Sequence, residues 1–153
     1  MDVISQGKSS LLSIRQLRAD DAETVTELSG QLGYPVSSVD LRQRIEETSH
    51  SADSIALAAL LDGQIVGWIE ASIEHHLHSP VSAIIGGLVV RDTMRGLGIG
   101  KRLCHEIEQW ARSKSITLLR VRTQIIREDA HRFYLREGYR KLKTSLVFEK
   151  SLL

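Results

Sequence analysis

Residues 81–90, Val-Ser-Ala-Ile-Ile-Gly-Gly-Leu-Val-Val, constrain this 153-residue chain more than any other segment. A run that is apolar almost throughout leaves no face for water. It reads as a central β-strand covered on both sides. Covering both faces calls for further layers, which points to an α/β architecture. Gly86 and Gly87 interrupt the run. Paired glycines weaken a buried strand and mark a bulge, or a place where something approaches the main chain closely.

The rest of the chain supplies those layers. Leu12, Ile14 and Leu17 suggest a first strand. Asp20, with Glu23 following, opens a helix whose apolar face is Ala22, Val25, Leu28 and Leu32, and Gly33 stops it. Ser37 and Asp40 open a second, shorter helix with Leu41 and Ile45 inward. Two apolar runs, 54–61 and 64–73, flank Asp62-Gly63, a strong hairpin signal. On the second of these strands Val66, Trp68, Glu70, Ser72 and Glu74 share one face. A loop from His75 to Pro80 leads into the central strand. A helix follows over 98–113, then a strand over 117–123, a helix opened by Glu128 or Asp129 and ended by Gly138, and a closing strand over 140–148. The layout is an antiparallel meander followed by strand–helix–strand–helix–strand.

Composition narrows the function. Twenty Lys and Arg face nineteen Asp and Glu, for a formal charge of +1. That balance gives no basic face for nucleic acid. One cysteine rules out an intramolecular disulfide framework and any cysteine-based zinc site, so the cytoplasm is the default location. No window approaches the ~20 apolar residues of a membrane helix. We expect a short loose tail over 1–10 and a single domain over 11–153.

Chemistry concentrates in Arg95-Gly96-Leu97-Gly98-Ile99-Gly100-Lys101. This segment follows a buried strand and opens an amphipathic helix. A helix start offers unpaired N–H groups and the positive end of a dipole. Glycines let those groups reach an anion, so the turn suits a pyrophosphate, with Arg95 and Lys101 adding charge. The P-loop does not fit, because Gly100-Lys101 is followed by Arg102. The dinucleotide fingerprint does not fit either, because its third glycine comes too early here.

The spacing resembles the acetyl-CoA signature of the GNAT superfamily of N-acetyltransferases, Arg/Gln-x-x-Gly-x-Gly/Ala after an apolar strand. Here it reads Arg95-x-x-Gly98-x-Gly100 after Leu88-Val89-Val90. The second half of the family pattern, an Ala, an aromatic-Tyr pair and a Gly-aromatic, reads Ala130, Phe133-Tyr134 and Gly138-Tyr139. The resemblance implies a mixed, mostly antiparallel sheet flanked by about four helices. It implies acetyl-CoA as co-substrate, no metal, and transfer to an amine in a ternary complex. The pantetheine arm would lie along Leu88, Val89 and Val90 as an added strand. Arg95 to Lys101 would hold the pyrophosphate, with Arg127 and His131 near the cofactor.

Acyl transfer to an amine needs a base, an oxyanion donor and an acid for the departing thiolate. Tyr134 matches the position of the family's usual acid. A main-chain N–H near Leu88 or Val90 would serve the oxyanion. Many members carry the base as a Glu near positions 84–86, where this chain has Ile84, Ile85 and Gly86. Glu70 is the leading replacement; Glu74, His75 and His76 remain alternatives. Tyr34, Glu74, His75 and His76 are candidate acceptor contacts. The triplet His75, His76 and His78 reads as acceptor contact rather than zinc. Cys104 has no paired base, which disfavours an acetyl-cysteine route. The acceptor is a small-molecule or protein amine, with no nucleic acid or membrane partner. Homodimers are common in the family, but the sequence marks no seam. The alternative class is a non-catalytic acyl-CoA-binding regulator of the same fold, supported by the missing strand Glu. A pure interaction module predicts no acetyl-CoA binding.

Overall fold

A five-stranded sheet in the order β1-β2-β3-β4-β5 organises this protein, whose computed structural model describes residues 11–33 and 36–153. Its strands are β1 (Leu12–Gln16), β2 (Ser54–Leu61), β3 (Gln64–His76), β4 (Ser79–Val90) and β5 (Leu119–Val121). The helices are α1 (Ala22–Ser29), α2 (Ser38–Ser49), α3 (Ile99–Ser113) and α4 (Glu128–Arg136). The first four strands pair antiparallel and β4–β5 is parallel, so the sheet is mixed, as expected. The expected tail over 1–10 and Tyr34 lie outside the described residues.

The chain forms two compact units, one ending at Val121 and one spanning Arg122–Leu153. In the first, Asp62 and Gly63 take φ of 50° and 81°, the left-handed pair that a two-residue hairpin between right-twisted strands requires. One face of the sheet buries Trp68, Val89 and Ala58 with Leu17, Val25, Leu28 and Ile45, and so carries α1 and α2. The other carries α3: Ala83, Ala111 and Ile116 form one of its buried clusters. A Cβ on Gly67 would sit 3.5 Å from both Ile99 and Leu103.

Several boundaries move. Asp21, not Asp20, ties the first helical turn: its carboxylate accepts from the Arg18 N–H at 2.8 Å and from Arg15 at 2.7 and 3.0 Å. Asp20 pairs with Arg42 at the surface instead. The second helix is longer than α1, with Ser37 accepting from the Asp40 N–H at 3.1 Å. The loop expected from His75 to Pro80 contracts to a turn at Leu77-His78, because β3 and β4 keep pairing as far as His76 and Ser79. Pro80 is tolerated there because β5 pairs only with Ala83–Ile85, so that among the described residues the early part of β4 has no ladder on that side.

In the second unit α4 ends at Arg136 with Glu137 as its C-cap; Gly138 follows with a φ of 92° that suits glycine, and the Tyr139 N–H donates to the Tyr134 carbonyl at 3.0 Å. The strand expected over 140–148 does not form. A strand exists only where a neighbour takes its hydrogen bonds. Among the described residues no ladder includes this segment, and Leu146, Val147 and Phe148 are each more than 80% exposed.

Candidate active site

The two glycines of β4 form the expected bulge. Glu70 pairs with Gly87 and Ala71 with Ile85, so Gly86 is the extra residue. A bulge turns both glycines towards the face that carries Glu70. A Cβ on Gly86 would lie 3.2 Å from Glu70 Oε1, and one on Gly87 would lie 2.7 Å from Trp68 Cη2. The bulge also marks where β4 leaves β5, because the parallel pairing ends at Ile85–Val121.

Beyond that point, among the described residues, no strand pairs with that edge of β4. The Arg91 N–H donates to the Val66 carbonyl at 2.7 Å. By the alternation of an antiparallel ladder, Val89 and Gly87 therefore face β3, and Leu88 and Val90 turn their main chain to the opposite edge. Val89 sends its side chain into the core. Gln31 lies beside this edge: with its amide oriented so that the nitrogen faces β4, it would donate to Asp92 Oδ1 at 2.9 Å and to the Val90 carbonyl at 3.3 Å.

The glycine turn follows. Gly96 and Gly98 have φ of 79° and 80°, and Gly98 is the N-cap of α3 with no side chain capping it. The first N–H groups of such a helix have no intrahelical partner. A Cβ at either glycine would meet nothing within 4 Å, so the turn is open. Arg95 and Lys101 are exposed, and Arg95 pairs with Asp92 at 2.9 Å. Leu97 is exposed at the tip, Ile99 is buried, and Gly100 lies in the first turn of the helix.

Glu70 is open to solvent on the α1–α2 face, yet surrounding protein strips enough hydration to push its carboxyl above the ordinary carboxylate range. The Arg44 guanidinium opposes that rise. Glu74 shares the face and binds His76 at 3.3 Å, while the His76 and His78 rings lie 5.6 Å apart. His75 is exposed near the end of β3. Among the described residues no group of three His, Cys, Asp or Glu side chains could hold a metal ion. None of the described helices is long and apolar enough to cross a membrane.

In the second unit Tyr134 is buried and packs edge-on against Phe133 and Tyr139, with ring centroids 5.1 and 5.4 Å away. Arg127 is the N-cap of α4, half-buried, and His131 Nε2 lies 2.9 Å from the Gln124 carbonyl. Cys104 is buried within α3.

Comparison with known proteins fits this layout. The profile described as "Acetyltransferase (GNAT) family" matches residues 13–139. The chain belongs to the acetyltransferase (GNAT) family. It is 44% identical over 84 residues to the aminoalkylphosphonate N-acetyltransferase of Salmonella typhimurium, a match covering 54% of each chain. It thus spans about half the length of that relative. The aminoglycoside N(6')-acetyltransferase type 1 of Stenotrophomonas maltophilia is 24% identical over 149 residues, covering 94% of this chain and 96% of that one. Among solved structures, an aminoglycoside N-acetyltransferase in complex with CoA superposes with a TM-score of 0.85 at 20% identity, covering 94% and 97% of the two chains. A transcriptional regulator from Bacillus halodurans has the same fold, with a TM-score of 0.81 at 22% identity over 92% of this chain and all of that one.

The sequence reading missed the adjacency of Glu70 to Gly86 and the influence of Arg44 on Glu70. Both depend on register and on helix placement. The paired glycines were the one local signal.

Proposed function

We propose that this chain transfers the acetyl group of acetyl-CoA to a primary amine by direct attack in a ternary complex. One observation carries the reading: the main chain of Leu88 and Val90 faces an edge on which, among the described residues, no strand pairs, and this edge leads into an open, uncapped helix start at Gly98. The pantetheine amides would continue the sheet along Leu88–Val90. The pyrophosphate would take the N–H groups of 96–101, with Arg95, Lys101, Arg127 and His131 supplying further contacts.

A protonated acceptor amine gives its proton to the Glu70 carboxylate, and the freed lone pair attacks the thioester carbonyl carbon. The carbonyl oxygen takes negative charge, met by an N–H of Leu88 or Val90. The nitrogen of the tetrahedral intermediate releases its second proton to water, the intermediate collapses to the neutral amide, the C–S bond breaks, and the thiolate takes a proton from Tyr134. Water restores both side chains. Raising the Glu70 pKa towards neutrality improves it as a base, since efficiency peaks near the working pH. Glu74, His75 and His76 would contact the acceptor, a role we extend to Tyr34.

Small-molecule amines are the favoured acceptors, in keeping with the names of the two acetyltransferases matched in sequence. A cytoplasmic setting is supported by the lone Cys104, and a homodimer by the exposed Leu146, Val147 and Phe148. The test is release of free thiol when acetyl-CoA is mixed with aminoalkylphosphonates, aminoglycosides, polyamines and lysine peptides. Turnover with any of them supports the reading. Tight acetyl-CoA binding with no turnover would replace it by a regulator, and no binding at all would remove both.

A further inference from the structure

We propose that Gly86 is a positioning residue, which by lacking a side chain lets a carboxylate from the neighbouring strand stand where a residue-86 side chain would otherwise project. The inference rests on the role given to Glu70 in acetyl transfer. A Cβ at Gly86 would lie 3.2, 3.5 and 3.6 Å from Oε1, Cδ and Cγ of Glu70. All three contacts are to one side chain, so the space a β4 residue would enter at this point is the space the Glu70 carboxylate occupies. The bulge makes this possible. It places Gly86 out of the ladder, between the pairs Glu70–Gly87 and Ala71–Ile85, and turns it to the Glu70 face. Gly86 does not have a left-handed φ. Backbone freedom is therefore not what requires glycine here; room for Glu70 is.

Charged groups on this face include Arg44 on α2, Glu74 further along β3, Arg120 of β5, which pairs with Ile84, and Arg15 of β1, which pairs with Ala58 and is held by Asp21. Of these, Arg44 bears on Glu70. The three nearest atoms a methyl group at 86 would meet all belong to Glu70, so Glu70 is the side chain it would displace.

Four variants test the pair: Glu70→Gln, Gly86→Ala, Glu70→Ala and Glu70→Ala/Gly86→Glu. Steady-state kinetics would be measured from pH 5 to 9, with acetyl-CoA affinity by calorimetry and melting to check folding. Gly86→Ala should lower kcat roughly tenfold and move the acidic limb of the pH–rate profile, with acetyl-CoA affinity unchanged. The double variant, carrying its carboxylate on β4, should recover at least tenfold of the kcat lost in Glu70→Ala. If Gly86→Ala keeps kcat and profile within twofold of wild type while Glu70→Gln is slow, the positioning role is wrong and the base reading stands. If Glu70→Gln itself retains wild-type kcat, both are wrong. A folded double variant no faster than Glu70→Ala also overturns the equivalence of the two positions.

Discussion

Replacing Gly98 by Asp should separate the stability of α3 from the affinity of the turn that starts it, because one charge acts on the two in opposite directions. Gly98 is the N-cap of a 15-residue helix, has φ of 80°, and a Cβ there meets nothing within 4 Å. Sterics therefore cost nothing, and the left-handed backbone costs about 1 kcal/mol, less for Asp and Asn than for other residues. Against that, a carboxylate at a helix N-terminus contributes about 0.3–1 kcal/mol. The net effect on folding is near zero. For binding, a carboxylate about 5 Å from a pyrophosphate costs about 3 kcal/mol per phosphate charge at an effective dielectric near 20, before salt screening. That is about two orders of magnitude in Kd. Gly98→Asn carries similar strain and shape without the charge. Urea melts and calorimetric titration with acetyl-CoA should show Asp at least as stable as Asn but about 100-fold weaker in binding. Equal losses in both variants would refute the electrostatic reasoning. Undiminished binding in both would refute the turn as the phosphate site.

Other perturbations have equally definite signs. Tyr134→Phe should lower kcat about 100-fold, the scale of a lost general acid, with acetyl-CoA affinity within about threefold; an unchanged rate removes Tyr134 from that role. Asp21, held below the ordinary carboxylate range first by its hydrogen bond from Arg15, lends stability that is present above its unfolded pKa and lost as pH falls through the folded one. Asp21→Asn should therefore cost about 2 kcal/mol at pH 7, a gap that closes in acid; a gap constant to pH 2 would refute it. Glu70 has the opposite sign, since burial raises its pKa and ionisation weakens the fold as pH rises. Glu70→Gln should melt higher than wild type at pH 8 and equal to it below pH 4, while losing turnover; a lower melting point at pH 8 refutes the desolvation argument. Gly87→Ala forces its methyl to within 2.7 Å of the buried Trp68 ring, and should cost about 1–3 kcal/mol with a shift in tryptophan fluorescence; a neutral change means the indole moves freely.

Legibility followed the range of the determining forces. Asp62-Gly63 fixes its hairpin from two residues, and the apolar periodicity of Ile99, Leu103 and Ile107 fixes α3, because both signals are local. The open conformation of the glycine turn was legible for the same reason, since it is set by consecutive residues, Gly96 and Gly98 among them. The paired glycines announced a bulge, but not its register, which depends on how β3 aligns with β4. That register is what sets Glu70 beside Gly86. Helix α2 reached the sequence as a surface element, yet its Arg44 bears on Glu70. The strand expected over 140–148 failed because alternation states only a capacity to pair, and pairing needs a free ladder.

The short reach of β5 has a consequence for the protein at rest. Three residues of parallel pairing leave the later part of β4, among the described residues, as an unpaired sheet edge, and such edges invite foreign strands. If pantetheine completes that sheet, the co-substrate also guards it. On that reading, without acetyl-CoA the protein should become sticky before it becomes unfolded, and a non-reactive coenzyme A analogue should keep it dispersed as well as the reactive thioester does.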